Sequence, residues 1–235
     1  MNENPIIVAL DVDSAAEARE LIGKLGNRIS FYKVGLELYA ASGMEVVREL
    51  QDLGKDVFLD LKLFDIGETV KRTVSVIART GVRFLTLHSS AAVMRAAVEG
   101  RGDSSLKLLA VTVLTSFDDS DVQDLGYPGT VTELVEWRVR KSVECGVDGL
   151  IASPLDAYTV RSMAGPDRII VTPGVRSAGA SKGDQKRVAT PAEAILNGAN
   201  FVVMGRQITR AADPASEAAR VLDEIRYAAS PAPSH

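Results

Sequence analysis

Eight short runs rich in aliphatic and β-branched residues, separated by longer stretches, set the main constraint on how this chain folds. They are PIIVALD, FYKVG, VFLDLKL, FLTLH, LKLLAVTVLT, GLIAS, IIVTPG and FVVMGR. Between most of them, apolar residues recur at helical spacing. In SAAEARELIGKLG, Ser14 is placed to cap a helix and Glu17 to complete a capping box. In TPAEAILNGA, Thr190 is the cap and Pro191 takes the first helical position. The connectors TGVRFLTLH, CGVDGLIAS and NGANFVVMG each carry a glycine suited to ending a helix in the left-handed conformation, just ahead of a strand. Such alternation, without a break in composition, predicts an α/β chain folded as a single (β/α)8 TIM barrel. An open doubly wound sheet is the structural alternative. Residues 1–228 read as one barrel domain, and 229–235, within the small Pro/Ser-rich AASPAPSH, as a frayed tail.

Composition narrows the function classes. The 235 residues carry 27 basic and 31 acidic side chains, a net charge of −4, which argues against a nucleic-acid partner. The only histidines are His88 and the terminal His235, so one chain cannot build a multi-histidine metal site. Carboxylate-bound magnesium stays open on these grounds. The single Cys145, just before the helix-ending Gly146, reads as a packed thiol and fits a reducing cytoplasm. MNENPIIVALD has no basic region followed by a long apolar segment, and no run of eighteen apolar residues occurs, so neither a signal peptide nor a membrane span is expected.

In barrels of this kind the chemistry sits at the C-terminal ends of the strands. Here those ends collect oddly placed polar residues: Asp11, Lys33, Asp60 with Lys62, His88, Thr115, the run Pro173 to Arg176, and Gly205 with Arg206. The stretch FLDLKLFDIGET is the most unusual, because charges in a strand buried on both faces are costly unless paired. Asp60 and Lys62 are two apart and share a side of a strand. With Asp11 and Lys33 from neighbouring strands they make an alternating Asp–Lys–Asp–Lys set, in which each charge is flanked by its opposite and all stay ionised. The same set also suits a structural salt-bridge network closing the barrel. Asp65 opens a possible capping box, Asp65-Ile66-Gly67-Glu68. It also shares a helical face with Thr69, which would let the pair serve a neighbouring subunit. Arg176 to Gln185, RSAGASKGDQ, is polar and long enough to be either a lid or a surface loop.

Asp60-Leu61-Lys62-Leu63-Phe64-Asp65-Ile66 resembles the DxKxxDI signature of the orotidine 5′-phosphate decarboxylase family, bacterial branch. ALD with Asp11, KVG with Lys33, LTS at Leu114 to Ser116, TPGVR ending at Arg176, DQKRVATP with Gln185 and MGR with Gly205 and Arg206 extend the likeness along nearly the whole chain, in order. Two stretches depart from it: Phe64 and Gly67 stand where many relatives have His and Pro, and Ser89-Ser90-Ala91-Ala92 where many carry Gly-Gly.

The resemblance implies conversion of orotidine 5′-phosphate to UMP and CO2, the last step of pyrimidine nucleotide synthesis, with no metal and no organic cofactor. It implies a homodimer with shared active sites. Lys62 would be the catalytic acid within the array of Asp60 and Lys33. Asp65 and Thr69 would reach the partner's site. Asp11, Lys33 and Thr115 would contact ribose and pyrimidine, and Asp60 would also lie against the substrate carboxylate. Pro173, Arg176, Gln185, Gly205 and Arg206 would hold the phosphate end. A metal-dependent sugar-phosphate decarboxylase or aldolase of the same barrel group is the alternative.

Overall fold

The structure, a computed structural model, describes residues 4–179 and 189–229. Eight parallel strands pair in chain order and close on themselves. They are β1 (Ile6–Ala9), β2 (Phe31–Gly35), β3 (Asp56–Leu63), β4 (Phe84–His88), β5 (Lys107–Val111), β6 (Gly149–Ile151), β7 (Ile169–Thr172) and β8 (Phe201–Met204). Closure is made by β1 and β8, where Ile7 lies opposite Val203. The chain is a (β/α)8 barrel, and the open-sheet alternative is excluded.

Helices follow the strands. After β1 comes α1 (Ala15–Leu25), and after β2 come α2 (Leu36–Ser42) and α3 (Glu45–Asp52). Next are α4 (Gly67–Ala78), α5 (Ala91–Arg101), α6 (Asp119–Asp124), α7 (Val131–Cys145) and α8 (Ala157–Ala164). The series ends with α9 (Pro191–Leu196), α10 (Arg206–Thr209) and α11 (Pro214–Ala229). The three connector glycines end their helices with positive φ: Gly81 at 78°, Gly146 at 75° and Gly198 at 102°. Thr190 and Glu193 form a reciprocal capping box on α9. On α1 only half of the expected box forms, with Ser14 accepting from the Glu17 N–H at 3.3 Å.

Strand parity separates two cores. Outward-facing Val8, Val34, Leu59 and Leu85 join the layer packed under the helices. Inward-facing Ile7, Phe31, Phe58, Phe84, Leu109, Val171 and Phe201 fill the barrel. Phe31, Phe84 and Phe201 meet edge to face at centroid distances of 5.0, 5.5 and 5.7 Å, a favoured aromatic geometry. The Arg83 guanidinium covers all three rings, 4.9 to 5.4 Å from their centroids, and pairs with Asp56 at 2.7 Å. The N-terminal end of the barrel is therefore closed by rings and one cation, and inward positions nearer the C-terminal end are left to other side chains.

Two expectations about element ends are corrected. The apolar run Leu106 to Thr115 does not stay in the sheet: β5 ends at Val111, where its partner β6 ends at Ile151. Val113 then packs in the outer core, and Thr115 stands on the following loop rather than at a strand end. The capping box proposed for Asp65 does not form. Ile66 is the residue before α4 and makes no side-chain cap. The Asp65 carboxylate instead accepts from the adjacent Ile66 N–H at 2.6 Å, one position short of the amides a cap would reach. Cys145 is buried at the end of α7, as a packed thiol should be.

Candidate active site

Parity that sends Phe31 and Phe58 into the barrel also sends Lys33 and Asp60 there, one layer higher. Both are buried, and Asp60 is 9% exposed. Lys33 Nζ donates to Asp11 Oδ1 at 2.8 Å and lies 3.7 Å from Asp60 Oδ2. Lys62 Nζ donates to both Asp60 oxygens, at 2.9 and 2.8 Å. The alternating array expected from spacing is therefore a continuous chain of contacts, Asp11–Lys33–Asp60–Lys62. Gly35 leaves room for it: a Cβ there would fall 2.9 Å from Lys33 Nζ and 3.4 Å from Asp11 Oδ1.

Lys62 does not sit on regular strand. Register between β3 and β4 shifts between Leu59 and Leu63. Lys62 has φ 48°, the one positive value at a non-glycine among the described residues. A non-glycine residue in that region costs about 1–3 kcal/mol and persists only where its surroundings hold it. One holder is Thr86 on β4, fully buried, which sequence reasoning missed. Its Oγ1 donates to Asp60 Oδ1 at 2.8 Å and accepts from the Lys62 N–H at 3.0 Å. The signal was present in FLTLH, where Thr86 shares the inward parity of Phe84 and His88.

Burial opposes ionisation of Asp60, but the charges of Lys33 and Lys62 and the hydrogen bonds from Lys62 and Thr86 outweigh it. Its carboxyl is held below the usual range. Two lysines and two carboxylates leave the array close to neutral overall. At the far side of the same mouth the balance is positive. Arg176, Arg206 and Arg210 line the cavity there. Burial first, and then the neighbouring Arg206 charge, lower the pKa of Arg176. An anion bound between those arginines would relieve that repulsion.

The cavity is about 550 Å³. Asp11, Lys33, Asp60, Lys62, Thr115, Pro173, Arg176, Gly205 and Arg206 all line it, as the sequence predicts. Leu114 and Ser116 of the LTS motif line it beside Thr115, and Glu37 and Arg210, which were not foreseen, line it too. Phe58, Val111, Ile151 and Val203 give it an apolar floor. Asp65 and Thr69 are not among its walls. They border a separate recess of about 280 Å³ with Phe64, lined also by Leu61, Lys62, Leu63, Val70 and Thr73. Gln185 and the rest of 180–188 lie outside the described residues, as do 230–235 of the expected tail. His88 ends β4 with its ring 4.7 Å from Phe64, and burial, then Arg138, lower its pKa. Ser89 is buried and its hydroxyl donates to the Val111 carbonyl, so the departure at Ser89-Ser90 is accommodated by tying β4 to β5.

A family profile described as orotidine 5′-phosphate decarboxylase / HUMPS matches residues 4–221. The chain belongs to this family. Among relatives named orotidine 5′-phosphate decarboxylase, that of Rhodopseudomonas palustris (strain BisB5) is 52% identical over 223 residues, covering 95% of each chain. That of Caulobacter sp. (strain K31) is 49% identical over 226 residues, covering 96% of this chain and 99% of the other. A crystal structure of orotidine 5′-phosphate decarboxylase from Lactobacillus acidophilus superposes with a TM-score of 0.84 at 33% identity, covering 95% of this chain and 99% of that one. No helix among the described residues is long and apolar enough to cross a membrane.

Proposed function

We propose that this protein decarboxylates orotidine 5′-phosphate to UMP and CO2, with Lys62 as the proton donor. The observation that carries the reading is the Asp11–Lys33–Asp60–Lys62 chain set in one cavity with an arginine-lined end. The two ends suit the two ends of the substrate. Arg176 and Arg206, with Pro173 and Gly205 beside them, take the phosphate, and Gln185 would join them from outside the described residues. Asp11 and Lys33 take ribose hydroxyls, and Thr115 faces the pyrimidine.

Breaking the bond between C6 and the carboxylate leaves the electron pair on C6 and releases CO2. That carbanion has little resonance stabilisation, so a fixed positive charge beside it is the main means of lowering the barrier. The Lys62 ammonium supplies the charge and then a proton to C6. Asp60 and Lys33 keep Lys62 charged and aimed. Phosphate binding at the distant arginines contributes energy that orients the ring against Lys62.

A second copy of the chain completes the site in this reading. Asp65 and Thr69 are not among the walls of their own cavity, which suits them to the partner's site instead. The flanking Phe64 and Ile66 are 67% and 77% exposed, an apolar rim suited to burial in a homodimer. Residues 1–228 would form one catalytic unit, and the lone buried Cys145 suits the cytoplasm.

The test is CO2 release and UMP formation from orotidine 5′-phosphate with excess EDTA. Turnover unaffected by the chelator supports the reading. Folded protein that is inactive here, yet acts on sugar phosphates once Mg²⁺ is added, would refute it in favour of the metal-dependent alternative.

A further inference from the structure

Thr86 holds a position that the proposed roles leave unexplained. It is fully buried on β4, and its side chain faces into the barrel beneath the charged array. Its one hydroxyl makes two bonds to two different parts of the site. It donates to Asp60 Oδ1 at 2.8 Å and accepts from the backbone N–H of Lys62 at 3.0 Å. That N–H belongs to the residue at φ 48°, in the stretch where the β3–β4 register breaks. The hydroxyl thus stands in for a ladder partner that the irregular strand does not supply. The same oxygen fixes the rotation of the Asp60 carboxylate, so that both its oxygens face Lys62 Nζ.

We propose that Thr86 is a positioning residue, whose hydroxyl locks the Lys62 backbone and the Asp60 carboxylate into one alignment. The inference rests on the reading of Lys62 as proton donor. Packing alone would need only the volume of the side chain. Valine has that volume without the hydroxyl, and serine has the hydroxyl without the full volume.

Both variants are to be assayed for decarboxylation, with the Asp60 carboxyl carbon followed by NMR across pH. The groups facing that carboxyl are Lys33 from β2, Lys62 from β3 and Thr86 from β4, with Asp11 beyond Lys33, so only the Thr86 contact differs between variants. Thr86→Val is expected to lower kcat about ten- to a hundredfold, the worth of a hydrogen bond to a charged group. KM should stay within about threefold, because the groups assigned to phosphate and ribose are untouched. The Asp60 midpoint should rise, since the ionised form loses a donor. Thr86→Ser should restore both kcat and midpoint most of the way. Equal impairment in serine and valine variants, or a valine variant with normal kcat and midpoint, would overturn the proposal. If Thr86→Val does not fold, Thr86→Ala is compared with Thr86→Ser on the same criteria. If the unsubstituted protein does not decarboxylate, the functional reading falls by itself, and the Asp60 midpoint still decides the role of Thr86.

Discussion

Asp60→Asn removes the charge at the centre of the array while keeping its shape. At an effective dielectric of about 20, the attraction of Asp60 for Lys62 at 2.8 Å is roughly 6 kcal/mol, and for Lys33 at 3.7 Å roughly 4.5 kcal/mol. Those gross terms are offset by desolvation of the same groups. Removing one partner of a buried pair typically costs about 3–5 kcal/mol net. Here the lower end applies. Lys33 keeps its bond to Asp11, and the Lys62 side chain, 36% exposed, regains water. For a chain of this length about 3 kcal/mol corresponds to a fall in Tm of roughly 6–12 °C. Turnover should fall sharply as well, because Lys62 loses the acceptor that aims it.

The pH dependence fixes the cause. The folded pKa of Asp60 is depressed, so its stabilisation is complete above the unfolded value of about 3.9 and is lost as pH falls through the lower folded value. The Tm difference between Asp60→Asn and the unsubstituted protein should be constant from neutral pH down to about 4 and shrink below it. Scanning calorimetry across that range is the assay. An unchanged Tm at pH 7, or a difference that persists undiminished in strong acid, would refute the argument that an ionised Asp60 holds the array together.

Three further outcomes follow from the geometry. Lys62→Ala and Asp65→Ala, each inactive alone, should recover roughly a quarter of the sites when their subunits exchange freely in a two-fold dimer, read as turnover of the mixture; no recovery despite proven exchange counts against shared sites. Gly149→Ala should destabilise by about 1–3 kcal/mol or more in denaturant titration, because the new Cβ would run into the Ile169 carbonyl and come within 2.8 Å of both the Ile169 and Leu109 side chains. Burial and then Arg138 lower the folded pKa of His88, so stability should decline as pH falls below the unfolded value of about 6.5, and His88→Gln should flatten that slope in thermal melts between neutral pH and about 5.

The barrel was legible because punctuation and parity agree. Connector glycines at 81, 146 and 198 mark helix ends, and inward residues alternate along nearly every strand. The charged array was legible in part for the same reason, since Lys33 and Asp60 share the inward parity of Phe31 and Phe58. Three features were not. Apolar character continues past the end of β5, so it cannot tell pairing from packing at Thr112 to Leu114. The left-handed turn at Lys62 leaves no mark in composition, because it is enforced from β4. Thr86 looked like an ordinary strand residue, and its significance is a three-body contact that no pattern along a single strand encodes.

Lys62 occupies a backbone angle that glycine adopts without penalty and lysine adopts at a cost of about 1–3 kcal/mol. Glycine at 62 would relax that backbone, yet it would leave buried Asp60 short of one cation, a larger loss than the strain removed. The awkward angle is thus underwritten by the neighbouring carboxylate, and the two features stand or fall together.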